Sequence, residues 1–198
     1  MIGLGHSFGG LVTLMAAYQR PDLFSKLVIM DPPFIIGKHS ALFEVVKKLN
    51  LKSIDRFTPA GITLKRKDYW PSKQDAVEAL RSNRLFKHFD EQCFQDYIES
   101  GIVPDQERGG VTLAIPKQIE AEIFRTVPAW WWRTPRKPPQ VPIHLITAER
   151  SQFYQQGLPQ GMHKVYQIHY SVVQGGHMFP LEHPEMTANH VKARLNKL

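Results

Sequence analysis

Gly5-His6-Ser7-Phe8-Gly9 sets one serine between two glycines at the spacing of the nucleophile elbow, G-x-S-x-G. The chemistry on offer is attack by an alcohol. A serine hydroxyl is a weak nucleophile at neutral pH, so it needs a base to take its proton and a third group to orient that base. The elbow turns sharply from a strand into a helix and pushes the hydroxyl clear of the backbone. Small residues two before and two after the serine are expected, because strand and helix nearly touch there and glycine removes the Cβ atoms that would clash. Met1-Ile2-Gly3-Leu4 reads as the end of an apolar strand. Leu11-Val12-Thr13-Leu14-Met15-Ala16-Ala17-Tyr18 reads as a buried helix, which completes the setting that the motif requires.

Among nine histidines, His177 stands out as the base. It follows a last apolar run containing Val165, Tyr166, Ile168 and Val172, and it comes directly after Gly175-Gly176. A Gly-Gly-His loop can swing an imidazole over a sheet edge to meet the serine. His6, inside the elbow, is read as supporting the turn rather than taking the proton.

The elements that must position these groups follow from periodicity. Leu27-Val28-Ile29-Met30 and Val141 to Thr147 are short, continuously apolar runs, which suit parallel strands covered on both faces. Lys164 to Val173 is expected to be the last strand and Glu185 to Leu195 a terminal helix. Between Asp31-Pro32-Pro33 and the loop Arg133 to Pro139 the character changes to short amphipathic helices. These are expected at Ser40–Leu51 (inner face Leu42, Val45, Val46, Leu49), Ser72–Phe86, Asp90–Ser100 and Pro116–Thr126 (inner face Ile119, Ile123, Phe124). The expected division is therefore a core of residues 1–36 and 140–198 and a helical cap of residues 37–139. Trp130-Trp131-Trp132 has two readings: lining for an acyl pocket, or packing of the cap.

Composition narrows the class. At 198 residues the chain can build one sizeable core, or a core and a small lid. The net charge of +7 comes from Lys and Arg spread along the chain, and no nucleic-acid motif accompanies it. It is therefore read as a solvated basic face. The single cysteine, Cys93, excludes an intrachain disulfide. The first residues do not read as a signal peptide, so none is expected, and no stretch has the length of a membrane span. The expected location is cytoplasmic; the last residues, Asn196-Lys197-Leu198, loosely resemble a peroxisomal tripeptide and make the peroxisome the alternative. With no metal-ligand spacing and no phosphate-binding glycine loop, neither a metal nor a cofactor is expected, and the partner is a small molecule.

The chain resembles the α/β-hydrolase superfamily, above all its esterase- and lipase-like members. These carry an elbow G-H-S-x-G-G, here Gly5-His6-Ser7-Phe8-Gly9-Gly10, and a last loop G-H-x-x-x-x-E-x-P, here Gly176-His177 with Glu182 and Pro184. The resemblance implies an α/β fold, a mostly parallel sheet flanked by helices with an inserted cap. It makes Ser7 the nucleophile and His177 the general base. It places one oxyanion donor on the backbone N–H of Phe8. The family's usual acid follows the strand after the cap, in a G-E-x-D pattern. Here that stretch is Ala148-Glu149-Arg150-Ser151, with Ser151 in the acid's place. Other members carry the acid at the end of the strand before the cap, where Asp31 stands, so the acid is Asp31 with Glu149 as the alternative. The Ser nucleophile implies an acyl-enzyme on an ester, thioester, lactone or amide, with a carboxylic ester as the expected substrate. Because the family has several strands before its elbow, the chain is expected to be truncated at its N-terminus, with an unpaired edge on its first strand. The alternative function is a catalytically impaired or non-enzymatic relative that binds a ligand or partner.

Overall fold

A computed structural model describes residues 1–34, 43–47, 54–128 and 139–198. Trp130, Trp131 and Trp132 lie outside the described residues, as do Leu42 and Leu49. The chain divides into two compact units, Met1–Ser40 with Ala129–Leu198, and Ala41–Pro128.

The first unit is built on a parallel sheet of four strands in the order β1-β2-β6-β7. These are β1 (Ile2–His6), β2 (Lys26–Met30), β6 (Ile143–Ala148) and β7 (His169–Val173); three further strands, β3 to β5, belong to the second unit. Every residue of β6 is buried, and so is β2 from Leu27 to Met30, as expected for parallel strands covered on both faces. Alternation along β2 sorts the two sides. Ile29 faces helix α1 (Ser7–Gln19), whose Leu11 and Leu14 are fully buried. Val28 and Met30 face the other way, into a cluster with Ile146, Ala148, Val173, Phe179 and Val191 under the terminal helix Pro184–Leu195. The Val, Leu, Ile, Met and Phe side chains among them each contribute about 1.5–3 kcal/mol on burial, so this two-sided core fixes where the strand ends lie.

The last strand is shorter than its apolar run suggests. Residues 164–166 belong to the helix Leu158–Tyr166, which stops at Gln167 in the left-handed conformation (φ 57°). Met162 and Tyr166 are buried on that helix, so tertiary packing captured residues whose local pattern also suits a strand.

The second unit is not purely helical. Besides Ala60–Lys65, Lys73–Arg81, Glu91–Gly101 and Lys117–Thr126 it holds an antiparallel sheet in the order β3-β5-β4: β3 (Tyr69–Trp70), β5 (Val111–Leu113) and β4 (Ile102–Pro104). Strands of two or three residues are too short to show alternation, which hides them in the sequence; a turn joins β4 to β5. Gly109 and Gly110 make that turn with φ of 70° and 71°. Ser72 and Asp90 cap their helices as their types predict, Ser72 accepting from the Asp75 N–H and Asp90 from those of Gln92 and Cys93. Residues 43–47 are helical, with Phe43 and Val46 buried but Val45 exposed. Ile119, assigned to the inner face of its helix, is exposed as well, and Ala121 takes the buried place. Paired guanidinium–carboxylate contacts, Arg66 to Glu120 and Arg125 to Asp55, tie the helices Ala60–Lys65 and Ile54–Phe57 to Lys117–Thr126.

Candidate active site

Parallel strands bring their carboxyl ends to one edge of the sheet, and the loops that follow them meet there. The register sets His6 beside Met30, Met30 beside Ile146, and Ala148 beside Val173. The next residues in each case are Ser7, Asp31, the Glu149–Ser151 turn and the Gly175–His177 loop. Two backbone bonds, Glu149 N–H to Val173 O (3.0 Å) and Arg150 N–H to Gly175 O (3.1 Å), carry the last pairing past the end of the strands.

Ser7 opens α1 with φ of 52°, a left-handed conformation that a non-glycine residue adopts only where the surroundings hold it. The close approach behind this turn explains Gly5: a Cβ there would lie 2.7 Å from Gly9 O and 2.8 Å from Gly10 Cα. Gly9 behaves differently from expectation, since a Cβ there would meet nothing within 4 Å. The second tight position is Gly10, where a Cβ would come within 2.8 Å of Ile29 Cγ2. Strand and helix do press together, but one residue later than the motif suggests.

The serine is the first of a hydrogen-bonded row. Ser7 Oγ lies 2.9 Å from His177 Nε2, and His177 Nδ1 lies 2.6 Å from Asp31 Oδ2. An ionised carboxylate only accepts, so Nδ1 carries the proton and Nε2 is free to accept from the serine. Asp31 is 1% exposed, with φ of 42°, and its N–H donates to Ile146 O (2.8 Å). Its carboxylate also accepts from the hydroxyls of Thr147 (2.6 Å, to Oδ1) and Ser151 (2.5 Å, to Oδ2). Three donors thus surround a charge that would be costly to bury alone. Glu149 is not in the row. It is exposed and its carboxylate pairs with Arg150 at 3.3 Å.

Three further residues hold the His177 loop. Glu182, at 2.8 Å, accepts the N–H of Gly176, which gives the acidic position of the last-loop motif a physical task. Phe153 meets the His177 imidazole edge-on, with ring centroids 5.1 Å apart. His6 donates from Nε2 to the backbone oxygen of His177 at 2.8 Å. Burial, ahead of the neighbouring charges, holds the pKa of His6 below the ordinary histidine value, which keeps it a neutral donor. Thr147 and Phe153 carry no signal in the sequence, because each acts across a contact between distant segments. The N–H of Phe8, second residue of α1, is among those that have no partner within a helix.

A family model described as "Alpha/beta hydrolase family" matches residues 2–190. The chain belongs to the alpha/beta hydrolase family. Among curated relatives it is 32% identical over 117 residues to the type I acyl-CoA thioesterase mpaH of Penicillium brevicompactum, a match covering 54% of this chain and 24% of that protein. It is 34% identical over 141 residues to the same-named thioesterase of Penicillium roqueforti, covering 61% of this chain and 30% of the relative. Among solved structures, the peroxisomal α/β-hydrolase Lpx1 of Saccharomyces cerevisiae superposes with a TM-score of 0.73 at 20% identity, over 99% of this chain and 52% of Lpx1. The chain thus spans a quarter to a third of the matched thioesterases and about half of Lpx1. Among the described residues, no group of three or more His, Cys, Asp or Glu could hold a metal ion, and no helix is long and apolar enough to cross a membrane.

Proposed function

We propose that this chain is a serine hydrolase that cleaves a carboxylic ester or thioester through an acyl-enzyme on Ser7. The row Ser7–His177–Asp31 carries the reading, because it supplies nucleophile, base and orienting acid at hydrogen-bond distances. His177 Nε2 takes the Ser7 proton as Oγ adds to the substrate carbonyl. Asp31 holds the imidazole in the required tautomer and stabilises the imidazolium that forms. The N–H of Phe8, which has no partner within its helix, is one donor to the oxyanion. His177 returns the proton to the leaving alcohol or thiol, and a water molecule activated by the same imidazole then releases the acid. The acyl-CoA thioesterases among the relatives support a thioester as readily as an oxygen ester. The second unit is read as a cap, and the setting as cytoplasmic.

The test exposes the folded chain to a fluorophosphonate probe and to p-nitrophenyl and acyl-thioester substrates. Labelling is expected on Ser7 and is absent from Ser7→Ala. A folded chain that remains unlabelled and turns over neither ester class points instead to a ligand-binding relative without catalysis.

A further inference from the structure

Ser151 occupies the place where the resemblance to hydrolases sets a carboxylate, and its contacts give it another task. Its side chain is wholly buried, at 0% exposure. Its hydroxyl proton goes to Asp31 Oδ2 (2.5 Å), the same oxygen that accepts His177 Nδ1–H (2.6 Å). Its oxygen accepts the N–H of Phe153 (3.2 Å) and so caps the short helix Gln152–Gln155. The Phe153 ring in turn stands at 84° to the imidazole of His177. Thr147, 1% exposed, donates to the other carboxylate oxygen, Oδ1, at 2.6 Å.

The terminal torsion of an aspartate is broad and roughly two-fold, so a single contact does not hold its plane. Here both oxygens are held, one by each hydroxyl, and both bonds are of the short, charge-assisted kind. We propose that Ser151 is a positioning residue for the Asp31–His177 pair. With Thr147 it locks the carboxylate plane, and through Phe153 it sets a wall against the imidazole, so that Nε2 stays aimed at Ser7. The proposal rests on the serine-hydrolase reading of the same site.

A plain helix cap would show the same Ser151–Phe153 contact, so the test separates the two roles. Wild type, Ser151→Ala, Ser151→Thr and Thr147→Val are compared in three readouts: the fluorophosphonate labelling rate of Ser7 per folded molecule, kcat and KM on a p-nitrophenyl ester, and the downfield proton resonance of His177 Nδ1–H. A hydrogen bond to a charged group is worth enough to slow labelling and kcat by about ten- to a hundredfold in Ser151→Ala, with KM unchanged. Thr147→Val, which touches no cap, slows both in the same direction, and Ser151→Thr restores near-normal rates. The resonance shifts and broadens in Ser151→Ala and Thr147→Val. Unchanged labelling and an unmoved resonance in both variants, with only a lower melting temperature in Ser151→Ala, would overturn the proposal in favour of a plain cap. If wild type itself is unlabelled, the hydrolase reading fails. The resonance needs no turnover and still decides whether Ser151 holds the pair.

Discussion

His6 Nε2 donates to the backbone oxygen of His177 across 2.8 Å, so the residue before Ser7 grips the loop that carries His177. The two rings lie 5.0 Å apart, and His6 also meets Phe179 edge-on. Elbow and last loop, 171 positions apart in sequence, are therefore one mechanical unit. His6→Ala removes the donor and leaves a partly buried carbonyl without its partner, which costs about 1–3 kcal/mol of stability. The expected outcome is a lower melting temperature together with a kcat reduced by about tenfold or more at unchanged KM. Steady-state kinetics on a p-nitrophenyl ester and a thermal melt check both parts.

The two glycines of the elbow should respond in opposite ways to alanine. Gly5→Ala drives a methyl group against backbone atoms at 2.7 and 2.8 Å, which cannot move like a side chain end. Overpacking of this kind costs about 1–3 kcal/mol and displaces Ser7. Gly9→Ala meets open space inside a helix, so its stability rises by up to about 1 kcal/mol. Denaturant unfolding of the two variants measures the contrast; a loss in Gly9→Ala comparable to that in Gly5→Ala contradicts it.

Asp31 is placed to choose the tautomer of His177. Asp31→Asn keeps the shape but presents an amide donor to Nδ1, which favours a proton on Nε2, the wrong nitrogen for accepting from Ser7. Loss of that control is expected to lower kcat by roughly three to four orders of magnitude. Glu149→Gln touches only the surface pair with Arg150 and leaves kcat unchanged. Parallel kinetics of the two variants test the assignment of the acid directly.

His144 predicts a loss of stability in acid. Its Nε2 lies 2.9 Å from Ser171 Oγ, which is 2.8 Å from His190 Nε2, and Arg194 donates to that nitrogen. Burial first, then the charges of Arg194, His190 and His169, push its pKa from 6.5 down to about 4. The unfolded chain therefore binds a proton that the folded chain refuses between those values, and stability falls as pH is lowered from about 6.5 towards 4. His190, held below its ordinary value by burial and by Arg194, adds to the same slope. In His144→Gln the pH dependence of the unfolding free energy should flatten in this window, as read from urea unfolding at a series of pH values.

Much of this site could be read from local pattern. The elbow, the apolar runs of β2 and β6, the helix starts at Ser72 and Asp90, and the Gly175-Gly176-His177 loop are all matters of residue type and near-neighbour spacing. Such features act through backbone conformation or through one face of one element, so a linear chain displays them. The other findings do not have that character. Whether Asp31 or Glu149 meets His177, what Ser151 does in the acid's usual place, and that Gly10 rather than Gly9 sits in the tight contact all depend on segments far apart in the chain. Asp31 and His177 are 146 positions apart, and Asp31 and Ser151 are 120. The sequence by itself determined the turn that carries Ser7, the loop that carries His177 and the parallel strands that end beside them. Only the tertiary structure brings Asp31 rather than Glu149 to His177, because strand register sets which side chains share an edge, and runs buried on both faces, such as β2 and β6, carry no alternation that would display that register.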